Sequence, residues 1–272
     1  MSDMLYHYTS ADTLEKVLQN RTFRLTSLPL VDDEEEELTQ NFGSFGRYAY
    51  VSSWTELQAE KHELWSTYTS DLHFGVRIGL PKNIFLTTQH TPLLPSDLAG
   101  VNVHQNALQP YPYTVGIQEI ESAYGVYAMI HEVELFPVTY TENPELIEYR
   151  TFDKYGNTIS VNQSMLGRYK RKSTWDYQHE WRYKAFFLPF SVDDALQYQR
   201  ENSFKQHLLA LKNDHTIPFE HFDLPIDDQK FADMEIITSP IMSDTDRQEI
   251  DRMVQQFNPT ATVRRSVLHL RK

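Results

Sequence analysis

Residues 4–27, MLYHYTSADTLEKVLQNRTFRLTS, decide the fold class. Leu5 to Thr9 is a short aromatic run flanked by polar residues, which predicts a strand. Thr9 or Ser10 can cap the helix that follows, and Asp12 in its first turn suits the helix dipole. Ala11, Leu14, Val17 and Leu18 recur at helical spacing, so one face of this helix is built to lie on a sheet. Asn20 is a stop, and Thr22 to Thr26 alternates as a second strand with Phe23 and Leu25 on one side. The opening is β-α-β.

Outward from this stretch the chain keeps mixing strands and helices. Pro29 opens a loop into Asp32–Glu37, six like charges that repel one another and are expected to be exposed. Carboxylates suit Mg²⁺ or Ca²⁺, but the run lacks the alternating spacing and glycine of a calcium loop. Gly43 and Gly46 mark a flexible segment. Tyr48 to Trp54 predicts a strand, Thr55 starts a helix whose Leu57, Leu64 and Trp65 share a face, and Phe74 to Leu80 predicts a central strand. The segment at about 88–122 is proline-rich and aperiodic, and reads as an insertion of the kind that carries function or covers a site.

Tyr124 to Tyr140 holds two alternating runs, Leu146 to Lys172 reads as helix or loop, and Trp175 to Pro189 predicts a strand. Ala195 to Leu211 predicts a surface helix and Met234 to Thr238 a strand. Ser243 and Asp246 cap a helix lined by Ile250, Met253, Val254 and Phe257, and Thr262 to Leu270 closes the chain as a strand. With no repeat and no linker-like composition, residues 1–272 read as one α+β domain carrying that insertion.

Composition narrows the classes. Of 272 residues 40% are hydrophobic and 13% aromatic, enough for a globular core rich in strands. There is no cysteine, so disulfides, thiolate metal sites and a thiol nucleophile are excluded and a cytoplasmic setting is expected. No apolar run reaches membrane-spanning length, so no membrane partner is expected. A net charge of −13 argues against a broad nucleic-acid surface. Arg168 to Lys172 is the one dense basic cluster, open to two readings, a solvated loop or a local binding patch. Neither a glycine-rich phosphate loop, a GxSxG elbow nor a paired-histidine zinc motif occurs, so no metal is expected.

Two positions stand out chemically. His7 sits between tyrosines in a strand, as a buried core histidine or a functional one. Glu180 lies in a run, WDYQHEWRYKAF, that otherwise reads as buried. An acid there must be paired, protonated or functional. Arg182 falls on the same face and can pair with it, so a structural ion pair and a catalytic acid both remain open. Trp54 and Trp181 read as core.

The opening YHYTSADTLEKVLQNRTFRLTS, the acidic loop after Pro29, LWSTYTSDLHFGVRIGL and HEWRYKAF together resemble a microbial family of unknown function. Its pattern is a tyrosine-rich start, an Asn-Asp-x-x-Glu loop, a Trp-x-x-Tyr helix end before a glycine-containing strand, and a Glu-Trp-Arg strand. Here Asp32-Asp33 stands for Asn-Asp. That family in turn resembles ADP-ribosyltransferases of the His-Tyr-Glu type, whose split, curved sheets hold NAD in a cleft.

The resemblance implies NAD as substrate, with His7 on the adenosine ribose, Tyr68 (or Trp65) stacking on nicotinamide and Glu180 on the nicotinamide ribose. Tyr8, Thr9, Arg24 and Ser27 join the expected NAD contacts. Gln178, two residues before Glu180, is expected on the same side, where it would help select the acceptor. The implied activity is ADP-ribosyl transfer to an unknown protein or nucleic-acid acceptor, or NAD hydrolysis, in a bacterial toxin or anti-phage effector. The alternative is an inactive nucleotide- or partner-binding module on the same fold.

Overall fold

The computed structural model describes residues 4–40, 42–90, 111–114, 117–128, 133–155, 158–191 and 216–269, with isolated positions at 194, 197 and 201. The strands used below are β1 (Met4–Ser10), β2 (Thr22–Ser27), β3 (Ala49–Thr55), β4 (Gly75–Pro81) and β5 (Glu134–Pro137), then β6 (Thr139–Thr141) and β7 (Tyr169–Arg171). They continue with β8 (Glu180–Leu188), β9 (His221–Pro225), β10 (Glu235–Thr238) and β11 (Thr262–Arg265). The helices are α1 (Ala11–Asn20), α2 (His62–Tyr68) and α3 (Asp244–Phe257).

The opening stretch folds as its pattern predicts. Ser10 Oγ accepts from the Thr13 amide as N-cap of α1, Leu14, Val17 and Leu18 are buried, and Arg21 ends the helix in the left-handed region. α3 repeats the logic, with Ser243 as its cap and Ile250 and Val254 buried. Both helices contribute to one core with Leu5, Phe23, Leu25 and Tyr183. A second core gathers Phe45, Tyr48, Phe186 and Leu188. Phe186 and Leu188 alternate along β8 with Tyr183, Ala185 and Phe187, so this strand is buried on both faces. The protein is α+β, and its main sheet is largely antiparallel.

That sheet runs β5-β8-β3-β1-β4-β10-β11, with β2 joined to β3 and β9 joined to β2. β1 and β4 pair over seven positions, from Met4↔Pro81 to Ser10↔Gly75. β3 and β8 pair over another seven, from Thr55↔Glu180 to Ala49↔Phe186. Since β8 fills one edge of β3, the other edge is shared. β1 meets it only at Tyr6↔Thr55, and β2 only at Val51↔Thr26 and Tyr50↔Ser27. The sheet forks there, and residues 52–54 face the gap.

Several expectations need correction. No helix starts at Thr55, which ends β3; α2 starts at His62. Buried Arg77 donates to the carbonyls of Leu57 (a short contact) and Gln58 (3.1 Å), removing the acceptors an earlier first turn would need. No strand starts at Trp175: Lys172–Trp175 is a helical turn, Asp176–Gln178 a 3₁₀ turn, and His179 (φ 45°) is left-handed before β8 begins. β11 stops at Arg265, after which the Val267 amide and the Ser266 hydroxyl bond to the Glu60 carboxylate. The helix expected at Ala195–Leu211 lies almost wholly outside the described residues, as do 91–110 of the insertion. The insertion's flanks, Thr87–His90 and Tyr111–Thr114, pair antiparallel.

The acidic loop is also not fully exposed: Asp33 and Glu36 are buried. Nor is Gly46 a flexible linker, because a Cβ there would lie 2.5 Å from Glu37 Cα. Its bare backbone lets the chain close on the acidic segment. Gly46→Ala is therefore expected to cost about 1–3 kcal/mol through overpacking, read as a lower midpoint in urea with an unchanged slope.

Candidate functional site

The fork in the sheet holds a pocket. Tyr6, His7 and Tyr8 of β1 form one wall and Ser53, Trp54 and Thr55 of β3 the other, with Tyr68, Lys170, Gln178, Glu180 and Arg182 across it and Val31 and Asp32 at its edge. Its cavity volume is about 90 Å³, and it opens to solvent.

Where the β1–β3 ladder stops, a side chain takes over. His7 Nδ1 lies 2.8 Å from the Ser53 carbonyl oxygen. A carbonyl only accepts, so Nδ1 carries the proton and Nε2 is the ring's acceptor. The ring packs edge-on to Phe23 at 4.9 Å and against Trp54 at 5.3 Å. Burial lowers its pKa, partly opposed by the Ser53 bond, so the ring is neutral at neutral pH. Register sets its direction. With Tyr6 opposite Thr55 and Thr55 opposite Glu180, the side chains of Tyr6, Tyr8, Ser53 and Glu180 share one face. His7 belongs with Trp54 on the other face and meets the pocket where the ladder is interrupted. Of the two sequence readings, its packing is that of a half-buried core histidine at the edge of a cavity.

Glu180 opens β8 with its amide donating to the Tyr140 hydroxyl at 2.8 Å. Its carboxylate is buried in a cluster of four charges. Arg182 Nε donates to Glu180 Oε1 at 2.6 Å and Lys170 Nζ is 2.9 Å from Oε2. Arg182 also donates to Glu36 Oε2 at 2.7 Å and to the Gly167 carbonyl at 3.0 Å, and Lys170 lies 3.7 Å from Glu36 Oε1. Burial pushes the Glu180 carboxyl up, but the Arg182 guanidinium and the Lys170 ammonium outweigh it and hold it down at about 2. For Glu36, burial dominates and its carboxyl is raised despite the same two cations. The two acids differ, and Glu36 takes its proton first as pH falls.

Gln178 reaches the pocket, although not by strand alternation. It sits in the 3₁₀ turn, where Thr55 Oγ1 donates to its carbonyl at 2.7 Å. Lys170 Nζ has only donors, so its 3.2 Å contact fixes Gln178 Oε1 as acceptor and leaves Nε2 to donate to the Tyr68 hydroxyl. Tyr68 stands at the end of α2, and its phenol pKa is raised by burial and by neighbouring Tyr177 and Glu180.

Of the residues expected from the sequence, the structure brings His7, Tyr8, Tyr68, Gln178 and Glu180 to this one pocket. Thr9, Arg24, Ser27 and Trp65 do not line it. Trp65 is fully buried against the Tyr8 ring at 4.9 Å, with Nε1 donating to Glu60. Arg24 makes a bidentate pair with Asp223 on β9, and Ser27 donates to the Arg47 carbonyl. Sequence reasoning missed Glu36, Lys170 and Arg77. The only signals for the first two were an acid and a base inside runs of like charge that read as solvated.

Arg168 to Lys172 is only partly solvated. Arg168 pairs with Glu134, Arg171 with Glu35 at 2.7 Å, and Lys170 is buried in the cluster. Lys172 is exposed. Among the described residues no helix is long and apolar enough to cross a membrane, and no group of acids and histidines is placed to hold a metal. Comparison with protein-family models, curated proteins and solved structures gave no match.

Removing one member of a buried ion cluster leaves the others uncompensated, so Glu180→Gln is expected to cost about 3 kcal/mol at pH 7. The sign with pH follows from the lowered pKa. The Glu180 contribution is whole above its ordinary value of 4.5 and is lost as pH falls toward about 2. Urea unfolding from pH 7 to pH 3 should show the gap between wild type and variant constant at first and then shrinking with acid. A gap that widens with acid contradicts the assignment.

Proposed function

We propose that this protein binds NAD in the forked pocket and breaks its nicotinamide–ribose bond, passing ADP-ribose to a protein or nucleic-acid acceptor or to water. The reading is that of an ADP-ribosyltransferase-like fold, with the fork as its split in the sheet. The observation that carries it is the meeting of Tyr8, Tyr68, Gln178 and an ionised, buried Glu180 in one cavity, from three separate segments of chain.

The chemistry asks for these groups. When the glycosidic bond breaks, its electron pair leaves with the nicotinamide nitrogen and positive charge grows on the ribose, as in other oxocarbenium-like transfers. A fixed carboxylate beside that sugar stabilises the charge as it forms, and Glu180 is held ionised for this role. The Tyr68 ring, anchored through Gln178, supports the leaving group and excludes water. His7, on the Trp54 side of the fork, is assigned to the adenosine end. In this reading Thr9, Arg24, Ser27 and Trp65 support the walls and do not touch the ligand.

A second reading has its own support. Both Glu180 oxygens are already engaged by Arg182 and Lys170, as in a purely structural cluster. That arrangement suits a nucleotide-binding module without turnover. Incubation with NAD, in the presence of mixed protein and RNA acceptors, separates the two. The enzyme releases nicotinamide, and Glu180→Gln lowers the rate by about 100-fold while the nucleotide still raises the melting temperature. Stabilisation by NAD with no nicotinamide from wild type selects the module. Neither effect rules out both.

A further inference from the structure

Glu36 belongs to the acidic run yet stands apart from it. Its carboxylate is buried on Arg182 and Lys170, while Asp32, Glu34 and Glu35 are exposed. The surrounding chain is fastened at several points. Asp33 caps the turn by accepting from the Glu35 amide at 3.1 Å, Glu35 pairs with Arg171, and Glu37 accepts from Ser44 Oγ at 2.6 Å with Gly46 closed behind it. Glu36 is thus held from both sides, and it touches the pocket only through two residues that line it.

We infer that Glu36 is a charge-balancing, positioning residue of the pocket: it neutralises the second of the two cations on Glu180 and keeps the cavity from carrying net positive charge. The inference builds on the proposed NAD reading but concerns the field in the pocket, so it is testable by binding alone. With Glu36 present the cluster holds two acids and two bases. Without it, Lys170 and Arg182 share a single carboxylate and the cavity wall gains one positive charge. An excess cation attracts the phosphates of a nucleotide and opposes positive charge growing on its ribose. The same substitution therefore moves binding and turnover in opposite directions, which a simple loss of packing does not do.

The probe is ADP-ribose, and the readout is its Kd by calorimetry at two salt concentrations on folded protein. Glu36→Gln is expected to bind it about tenfold more tightly than wild type, with a steeper loss of affinity in salt. Glu36→Asp, which restores the charge, should return to the wild-type value. Nicotinamide release, where wild type shows it, should fall with Glu36→Gln in spite of the tighter binding. If Glu36→Gln does not fold, Glu36→Met replaces the carboxylate by an apolar chain of similar length and should show the same tighter, more salt-sensitive binding. Equal or weaker ADP-ribose binding by a folded Glu36→Gln or Glu36→Met overturns the inference. An inert wild type whose variant binds more tightly removes the proposed activity and keeps the charge balance.

Discussion

Four charges taken out of water have to answer one another, and in this protein they do so across three separate pieces of chain. Glu180 and Arg182 come from one strand, Lys170 from a short strand before it, and Glu36 from a turn more than a hundred residues away. Arg182 is the joint, with Glu180, Glu36 and the Gly167 carbonyl all on its guanidinium. Such a cluster adds little net stability, because desolvation offsets most of the attraction. It makes misplacement costly instead, since any arrangement that separates the members leaves a charge buried alone. The acidic turn, β7 and the start of β8 are therefore fixed relative to one another by electrostatics more than by apolar contact.

The same logic extends away from the pocket. Arg77 is fully buried with its guanidinium 3.7 Å from the Tyr6 ring centroid, and it takes the Leu57 and Gln58 carbonyls. Lys184, further along β8, reaches the carbonyls of Ser164 and Leu166 at 3.1 Å each and Glu134 at 3.2 Å. In both cases a long cation inside the sheet stitches an irregular segment to it. Loops that propensity alone would leave undefined are thereby fixed to the sheet.

The sequence was legible where a periodic pattern and a local cap agree. α1 and α3 follow from apolar spacing with Ser10 and Ser243 ahead of them, and β1, β3 and β4 follow from short aromatic or β-branched runs. Glu180 and its partner Arg182 were legible because a charge in an apolar strand demands an answer. What escaped depends on distant contacts. The start of α2 is set by Arg77, nineteen residues beyond Gln58. The start of β8 is set by a left-handed His179, which carries none of the glycine signal that usually marks such a turn. Glu36 was hidden among identical neighbours, and only the fold distinguishes the one that turns inward.

The division of β3's outer edge has a dynamic meaning. Two ladders of seven pairs meet at a seam held by one backbone pair and the His7–Ser53 bond. Local opening follows the line of fewest hydrogen bonds, so the Ser53 amide, on the gap side, belongs to the least protected part of an otherwise interior strand. The width of the cavity is then the softest coordinate of the sheet. A molecule that enters must work against one imidazole hinge, while the two half-sheets on either side move as stiff plates.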